Sequence, residues 1–189
     1  MNIGVLALQG GVIEHLNQIK ALGHNPIEVK DPRHLENIEG LILPGGESTT
    51  IGKLLNVTGL MEPLRNKIKE GLPVLGTCAG MILLAKDIEN DNRKYISLMN
   101  IKVKRNAFGT QIDSFRTKKQ IKAISDKPLE LVFIRAPYVT EIGDGVQVLC
   151  EVDNNIVGVG EKNMLAISFH PELTSNLEFL RYFIKEYIK

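Results

Sequence analysis

The stretch VLGTCAGMILLA, residues 74–85, predicts a buried strand that runs through a tight turn into a helix. Cys78 lies at the turn, with Gly76 and Gly80 two residues to either side. This G-x-nucleophile-x-G spacing is typical of an elbow that exposes a side chain at the C-terminal end of a strand in an α/β sheet.

The residues before the elbow alternate between apolar runs of strand length and helical patterns. IGVLALQ, GHNPIEV and IEGLILPGG predict strands, and residues 47–71 predict one or two helices. The first helix is indicated by four apolar residues at helical spacing: Val12, Leu16, Ile19 and Leu22. Apolar strands separated by helices are typical of a parallel sheet that is covered on both faces. We therefore predict an α/β fold with a doubly wound, mostly parallel sheet and helices on both faces.

The second half of the chain predicts an antiparallel extension of this sheet. VQVLCEV, NIVGVGEK and MLAISFH are consecutive strand patterns joined by short polar turns. Residues 101–112 and 120–124 predict shorter strands, and residues 88–94 predict a loop. The last 18 residues, 172–189, predict an amphipathic helix capped by Thr174 or Ser175. The apolar face of that helix is expected to carry Leu177, Leu180, Ile184 and Ile188.

Composition narrows the classes of function. A chain of 189 residues with 43% hydrophobic content fits one domain, residues 1–189. The net charge of +1 and the absence of long charged runs argue against a nucleic acid or an anionic membrane as partner. No apolar run approaches the ~20 residues of a membrane helix, and the N-terminus lacks the features of a secretory signal. We expect a cytoplasmic protein.

Cysteine usage points to chemistry at Cys78 alone. The chain has two cysteines and no paired Cys/His spacing, so we expect neither a disulfide framework nor a metal site. A thiol at the start of a helix has its thiolate favoured by the helix dipole. The alternative for Cys78 is burial as a small apolar residue, the usual fate of a lone cysteine. Cys150 lies in an apolar strand without a nearby base, and we assign it to packing.

SFHPEL, residues 168–173, supplies a candidate base and a carboxylate to orient it. Pro171 disfavours a helical conformation at His170, and Glu172 then lies on the same side of the chain. Together with Cys78 they make a nucleophile, a base and a carboxylate. Taken alone, His170 would more often be a surface or core histidine, and Glu172 a helix N-terminal charge. The other histidines lack such a carboxylate and are expected to be solvated or structural: His15, His24 and His34.

LPGGESTT, residues 43–50, follows a predicted strand, where parallel sheets bind ligands. Its residues also fit a plain glycine turn with helix caps at residues 48–50. A phosphate cradle is disfavoured because Glu47 repels an anion and no P-loop lysine follows. We favour Gly46 as a backbone N–H donor to an oxyanion and Glu47 as the group that holds a substrate ammonium.

Six motifs, in the order LALQGG, LPGGESTT, GTCAGMILLA, RNAFG, FIRAP and SFHPELT, span residues 6–174. As a set they resemble the class I, triad-type glutamine amidotransferases, and within them the glutaminase subunits of pyridoxal 5'-phosphate synthase. GxCxG with HPE is shared widely, whereas PGGESTT, RNAFG and FIRAP point to this subfamily. The resemblance implies a flavodoxin-like fold and hydrolysis of L-glutamine to L-glutamate and ammonia.

The resemblance also assigns roles to residues. It implies that Cys78 attacks the glutamine amide to form a glutamyl thioester, while His170 moves the proton and Glu172 steadies His170. The implied oxyanion hole is formed by the backbone N–H groups of Gly46 and Ala79. The implied glutamine-binding residues are Gly46, Glu47, Ser48, Arg105, Ile134 and Arg135. A loop carrying Gln9 and Gly10 is implied at the partner interface.

The implied partner is a (β/α)8-barrel synthase subunit that uses the ammonia to build pyridoxal 5'-phosphate from ribose 5-phosphate and glyceraldehyde 3-phosphate. The family assembly holds twelve synthase and twelve glutaminase chains, the glutaminase depends on its partner, and it carries no cofactor. Two departures from the family pattern bear on partner contacts or packing: Thr110, where arginine is usual, and residues 161–163, in place of a glutamine-containing turn.

Other functions fit parts of the pattern. One is a glutaminase for another synthase, such as that of imidazole glycerol phosphate, which RNAFG and FIRAP argue against. Another is a noncatalytic α/β binding module or a redox-sensing thiol protein, which has no need of His-Pro-Glu after a strand. Peptide hydrolysis is disfavoured because nothing in the sequence indicates an extended substrate groove.

Overall fold

The computed structural model describes residues 1–107 and 114–188, which form twelve strands and five α-helices. The strands are β1 (Asn2–Leu6), β2 (Asn25–Val29), β3 (Gly40–Leu43), β4 (Val74–Thr77), β5 (Ala85–Ile88), β6 (Met99–Lys104), β7 (Ser114–Lys119), β8 (Leu129–Ile134), β9 (Tyr138–Ile142), β10 (Gln147–Val152), β11 (Asn155–Glu161) and β12 (Met164–Ile167). The helices are α1 (Val12–Ala21), α2 (Ser48–Val57), α3 (Met61–Lys69), α4 (Ala79–Leu84) and α5 (Glu178–Phe183). Short 3-10 turns occur at Pro32–Leu35 and Pro171–Leu173, and a π-helical turn at Ile184–Ile188.

Ten of these strands make one mixed sheet within the described residues, in the order β2-β1-β3-β4-β12-β11-β9-β6-β5, with β10 paired to β11. The five strands from β2 to β12 are parallel. The pairs β12-β11, β11-β9, β9-β6 and β11-β10 are antiparallel. The predicted parallel sheet with an antiparallel extension is therefore confirmed. Strands β7 and β8 form a separate antiparallel pair.

Both faces of the central strands are buried. On β3, Ile42 packs in a cluster with Ile19 of α1 and Phe183 of α5, whereas Leu41 and Leu43 pack in a second cluster with residues of α2, α3 and α4. Burial on both sides explains why these strands are apolar throughout rather than alternating. Because β1, β3, β4 and β12 run parallel, their C-terminal ends lie along one edge of the sheet.

Two expectations for the middle of the chain are corrected. Residues 120–124 are not a strand: Ile121 is buried but its carbonyl accepts from Ile124 N and Ser125 N, and Gln120 Nε2 donates to Asp126 O at 2.9 Å. These bonds close a turn, and β8 takes the neighbouring strand position. In the other predicted strand, residues 101–112, β6 ends at Lys104, and Thr110 with the rest of residues 108–113 lies outside the described residues.

The C-terminal helix starts later than expected. Pro171–Leu173 is a separate 3-10 turn, and α5 begins at Glu178, whose N–H donates to Asn176 Oδ1 at 2.8 Å. Thr174 does not cap the helix: its hydroxyl accepts from Asn176 N at 3.3 Å, ahead of α5, and donates to Pro171 O at 2.9 Å in the preceding turn. The buried face of the helix also differs from the predicted one. Leu180 and Ile184 are buried as expected, but Leu177 and Ile188 are only half-buried. The buried face carries the aromatic residues Phe179 and Phe183 instead.

The turn at residues 161–163, which departs from the family pattern, makes hydrogen bonds to neighbouring elements. The Glu161 carboxylate accepts from Asn100 N at 2.7 Å, and Asn163 Nδ2 donates to the carbonyls of Ile68 and Leu72 at 2.9 and 2.7 Å. This turn therefore ties β11 and β12 to β6 and to the end of α3. Across the described part of the chain, none of the helices combines the length and apolar character that crossing a membrane requires.

Candidate active site

Cys78 occupies a strained turn between β4 and α4. Its backbone has φ 49° and ψ −101°, a conformation that costs a non-glycine residue about 1–3 kcal/mol. The turn is held by hydrogen bonds from Cys78 N to Ile167 O at 2.8 Å and from Met81 N to Cys78 O at 3.1 Å. Neighbouring strand β12 and helix α4 thus fix the position of the thiol.

The two flanking glycines are required by close packing, as the sequence predicts. A Cβ on Gly80 would lie 2.2 Å from Leu43 O, and a Cβ on Gly76 would lie 2.7 Å from the carbonyl carbon of Gly80. Both distances are far below van der Waals contact. Glycine at these positions lets α4 approach β3 and β4 closely enough to form the elbow.

His170 and Glu172 follow β12 directly, on the same edge of the sheet. His170 N donates to Val132 O at 2.8 Å, which anchors the segment to β8. His170 Nδ1 and Glu172 Oε1 are 2.7 Å apart, and both side chains are buried. The carboxylate is thus placed to orient the imidazole ring.

Cys78 and His170 both approach the same face of Gly45, where a side chain would otherwise stand. A Cβ on Gly45 would lie 2.4 Å from His170 Cε1 and 3.4 Å from Cys78 Cβ. Burial opposes a charge on the His170 ring, but hydrogen bonding to Cys78 and Glu172 outweighs it and raises the pKa of His170 to about 10. Since Nδ1 faces Glu172, Nε2 is the ring nitrogen left for the thiol.

A cavity of about 410 Å³ opens over Cys78, a size that suits a small metabolite. It is lined by every predicted site residue except Ala79: Gln9, Gly10, Gly46, Glu47, Ser48, Cys78, Arg105, Ile134, Arg135, His170 and Glu172. Ala79 is buried next to the cavity as the first residue of α4. The sequence did not single out several other lining residues, among them Glu14, Ile82, Asn106 and Leu173.

Two glycine loops meet at the rim of this cavity. Gly11 N donates to Gly45 O at 3.0 Å, and Glu47 N donates to Gln9 Oε1 at 2.8 Å. A Cβ on Gly10, whose φ is +109°, would lie 1.8 Å from Gly45 O. The Gln9 loop therefore holds the loop that carries Gly46.

Charged side chains converge on Glu47, the residue that follows Gly46 in the second of these loops. Glu47 Oε1 lies 3.0 Å from Arg105 Nη2, and Arg105 Nη1 lies 3.5 Å from Asp91 Oδ2. Burial acts to raise the pKa of Glu47, but hydrogen bonds from Thr50 and Thr49 outweigh it and lower that pKa. Arg135 is exposed at φ 41°, next to Ile134, whose carbonyl accepts from Cys78 Sγ at 3.9 Å.

The start of α2 differs from the expected capping. Glu47 is itself the N-cap, accepting from Thr50 N at 2.9 Å, and residues 48–50 are the first helical turn. A carboxylate reaches this N–H group and also accepts from the Thr50 hydroxyl, so it displaces Ser48 from the role. Ser48 Oγ is buried beside the cavity without a hydrogen-bond partner among the described residues. That hydroxyl is available to a bound molecule.

The expectation that His15 lacks a carboxylate neighbour is wrong. His15 is 1% exposed, and its Nε2 lies 3.5 Å from Glu172 Oε2. The sequence carried a signal, because His15 falls three residues after Val12 and four before Ile19, on the apolar face of α1. His24 is half-buried and His34 exposed. Cys150 is buried in the core, and burial raises its pKa to about 11, so its thiol stays protonated.

Metal binding finds no support in the described part of the chain, where no cluster of three or more His, Cys, Asp or Glu side chains could hold an ion.

The chain belongs to the SNO glutamine amidotransferase family, whose sequence model matches residues 5–189. A solved structure described as a crystal structure of glutamine amidotransferase has 43% sequence identity and a TM-score of 0.92, with 97% of each chain covered. These matches confirm the class I glutamine amidotransferase fold.

Two curated relatives carry a more specific name. Pyridoxal 5'-phosphate synthase subunit PdxT of Clostridium beijerinckii is 62% identical over 185 residues, covering 98% of this chain and 97% of the relative. The protein of the same name from Clostridium kluyveri is 55% identical over 184 residues, covering 97% and 98%. The resemblance drawn from the six motifs is thereby confirmed.

Proposed function

We propose that this chain is the glutaminase subunit of a pyridoxal 5'-phosphate synthase, a single domain that hydrolyses L-glutamine and delivers the ammonia to a synthase subunit. The observation that carries the proposal is the placement of Cys78 on a strained elbow beside His170, whose Nδ1 lies 2.7 Å from Glu172 Oε1. The names of the relatives with 62% and 55% identity support the choice of synthase.

The proposed reaction runs through a thioester. The Cys78 thiol gives its proton to His170, and the thiolate attacks the side-chain amide carbon of glutamine. His170 passes the proton to the departing nitrogen, so ammonia leaves and a glutamyl thioester remains. His170 then takes a proton from water, whose oxygen attacks the thioester carbon. Collapse of that intermediate expels the Cys78 thiolate, which takes the proton back from His170 as glutamate leaves. Glu172 stabilises the imidazolium in both halves.

The oxyanion of each tetrahedral intermediate would be bound by the backbone N–H groups of Gly46 and Ala79. One such donor contributes about 2.7–4 kcal/mol to transition-state stabilisation. Ala79 fits because it starts α4, where N–H groups lack helical partners. Gly46 fits because its loop is held beside Cys78 by the Gln9 loop.

The proposed glutamine site uses the charged wall of the cavity. Glu47 would bind the α-ammonium, and Arg105 and Arg135 supply positive charge for the α-carboxylate. The buried Ser48 hydroxyl, unpartnered among the described residues, would gain a hydrogen bond from the substrate. Ile134 would contact the substrate at the cavity wall beside Cys78.

The proposed partner is the barrel-shaped synthase subunit, in an assembly of twelve chains of each kind in the cytoplasm. The loop of Gln9 and Gly10 lies at the cavity rim, where a docked partner would contact it and, through it, the loop of Gly46. Such a contact would couple docking to the oxyanion hole and limit wasteful glutamine hydrolysis.

The proposal is tested by glutamate release from L-glutamine, with the purified chain alone and with a pyridoxal 5'-phosphate synthase subunit. We expect release that depends on the partner, is lost in Cys78→Ala and is kept in Cys150→Ala, the matched control. Release that needs Cys78 but no partner would indicate a different amidotransferase. No release in either case would leave a noncatalytic binding module.

A further inference from the structure

The carboxylate of Glu172 has a second oxygen that the proposed mechanism does not use. Oε1 lies 2.7 Å from His170 Nδ1, whereas Oε2 is buried and makes no hydrogen bond of standard geometry among the described residues. The group that faces Oε2 is His15 Nε2, at 3.5 Å. A buried carboxylate oxygen needs a donor, and His15 is placed to be one.

Helix α1 holds the segment of Glu172 at two points. His15 Nε2 lies between Glu172 Oε2 and the Thr77 hydroxyl, 3.4 Å away on the strand that leads into Cys78. One turn further along α1, Gln18 Nε2 donates to the carbonyls of Pro171 and Thr174 at 2.9 and 3.2 Å. The 3-10 turn of Glu172 is thus fastened to the same helix face that carries His15.

We propose that His15 is a positioning residue whose Nε2–H faces Glu172 Oε2 and keeps Oε1 directed at His170 Nδ1. The role of His15 in turnover rests on the function proposed above. His15 does not touch the cavity, so it acts through Glu172 and not on glutamine.

The charges around His15 favour the neutral imidazole that this role requires. Burial lowers the pKa of His15, Glu172 and Glu14 act to raise it, and His170 acts to lower it. The net direction is downward, so His15 is neutral at neutral pH. A neutral ring with its hydrogen on Nε2 donates to Oε2 and leaves the carboxylate charge available to His170.

The test compares three variants in the complex with the synthase subunit. His15→Leu removes the donor, His15→Gln keeps an N–H group at a similar reach, and Ile19→Ala removes buried packing from the same helix face. For His15→Leu we expect kcat for glutamate release to fall about tenfold or more, part of the about 10²–10⁴-fold that a positioned acid-base group contributes. KM should stay within about twofold, His15→Gln should recover most of the loss, and Ile19→Ala should keep kcat.

A second readout does not depend on glutamine. The pKa of His170 is measured in each folded variant by NMR titration of labelled histidine. The chain has only four histidines, so the spectrum holds few signals to assign. We expect His15→Leu to lower this pKa, because a less well held carboxylate stabilises the imidazolium less, and His15→Gln and Ile19→Ala to leave it near the wild-type value.

Several results would overturn the role of His15: kcat within twofold of wild type in His15→Leu, a fall in kcat without a shift in the pKa of His170, an equal loss in His15→Gln, or an equal loss in Ile19→Ala. If the wild-type complex releases no glutamate, the proposed function fails, and the pKa of His170 still decides whether His15 positions Glu172.

Discussion

Glu172 lies between two histidines, and these neighbours decide the ionisation of its buried carboxyl group. Burial acts to raise the pKa of Glu172, but the neighbouring His15 and His170 outweigh it and lower the pKa. The pKa of His170 moves the other way, to about 10. A carboxylate that stays ionised can stabilise the imidazolium that forms when His170 accepts the proton of Cys78.

Replacing Glu172 by glutamine tests this residue pair. Glu172→Gln removes the charge at nearly constant volume, so the pKa of His170 should fall and kcat for glutamine hydrolysis should drop by about 10²–10⁴-fold. The measurement is kcat against pH in the complex. Glu178→Gln is the matched control, since its partner Arg181 is far from the cavity on α5; an equal loss there would contradict the assignment.

Glu172→Gln should also change how the free energy of unfolding depends on pH. The folded pKa of His170 is raised from 6.5 to about 10, so its contribution is full below pH 6.5 and is lost as pH rises through about 10. The folded pKa of Glu172 is lowered from 4.5, so its contribution is present above pH 4.5 and is lost on acidification. The difference in unfolding free energy between wild type and Glu172→Gln, from urea titrations, should be largest between pH 4.5 and 6.5. A difference that does not vary with pH would show that the pair is not coupled.

At the scale of elements, the elbow depends on the distance between α4 and β3. Gly80→Ala would place a methyl group 2.2 Å from Leu43 O, a backbone atom that cannot swing away. We expect a loss of about 1–3 kcal/mol in unfolding free energy and a loss of activity, because α4 carries Cys78 with it when it moves. Urea unfolding and glutamate release measure the two effects.

Gly23→Ala provides the control for this prediction. A Cβ on Gly23 meets nothing within 4 Å, and the position has φ +78°, so Gly23→Ala adds only the backbone strain of a non-glycine residue at positive φ, about 1–2 kcal/mol. Equal destabilisation by both substitutions, with activity kept in Gly80→Ala, would show that contact with Leu43 does not set the elbow.

Sequence patterns predicted the elements whose burial is uniform and missed those that depend on remote partners. β3 and β4 are buried on both faces, so their apolar runs identify them without knowledge of their neighbours. Residues 120–124, QIKAI, alternate polar and apolar side chains as a half-buried strand would, but they form a turn, because Gln120 bonds to Asp126 and the strand partner of β7 is β8. His15 was missed for the same reason: its carboxylate neighbour, Glu172, lies 157 positions along the chain.

For the whole molecule, the rim loops connect the thiol with the surface where a partner would dock. Gln9 Oε1 accepts from Glu47 N at 2.8 Å, which is the side-chain link between the Gln9 loop and the loop of Gly46. Docking on the first loop would therefore reach the second without movement of the sheet. On the proposed function, this arrangement would let a small chain delay hydrolysis until its partner is in place.

Gln9→Ala cuts this link and tests the coupling. Loss of one hydrogen bond should cost about 0.5–1.5 kcal/mol in unfolding free energy, so the chain folds, but the ratio of glutamate release with and without the synthase subunit should fall several-fold.

Gln120→Ala is the matched control, because it removes a side-chain bond to a backbone carbonyl, Gln120 Nε2 to Asp126 O at 2.9 Å, away from the cavity. Its activation ratio should equal that of wild type. If Gln9→Ala is also activated like wild type, docking reaches Gly46 by a route other than the Gln9 side chain, and the backbone contact between Gly11 and Gly45 becomes the remaining link between the two loops.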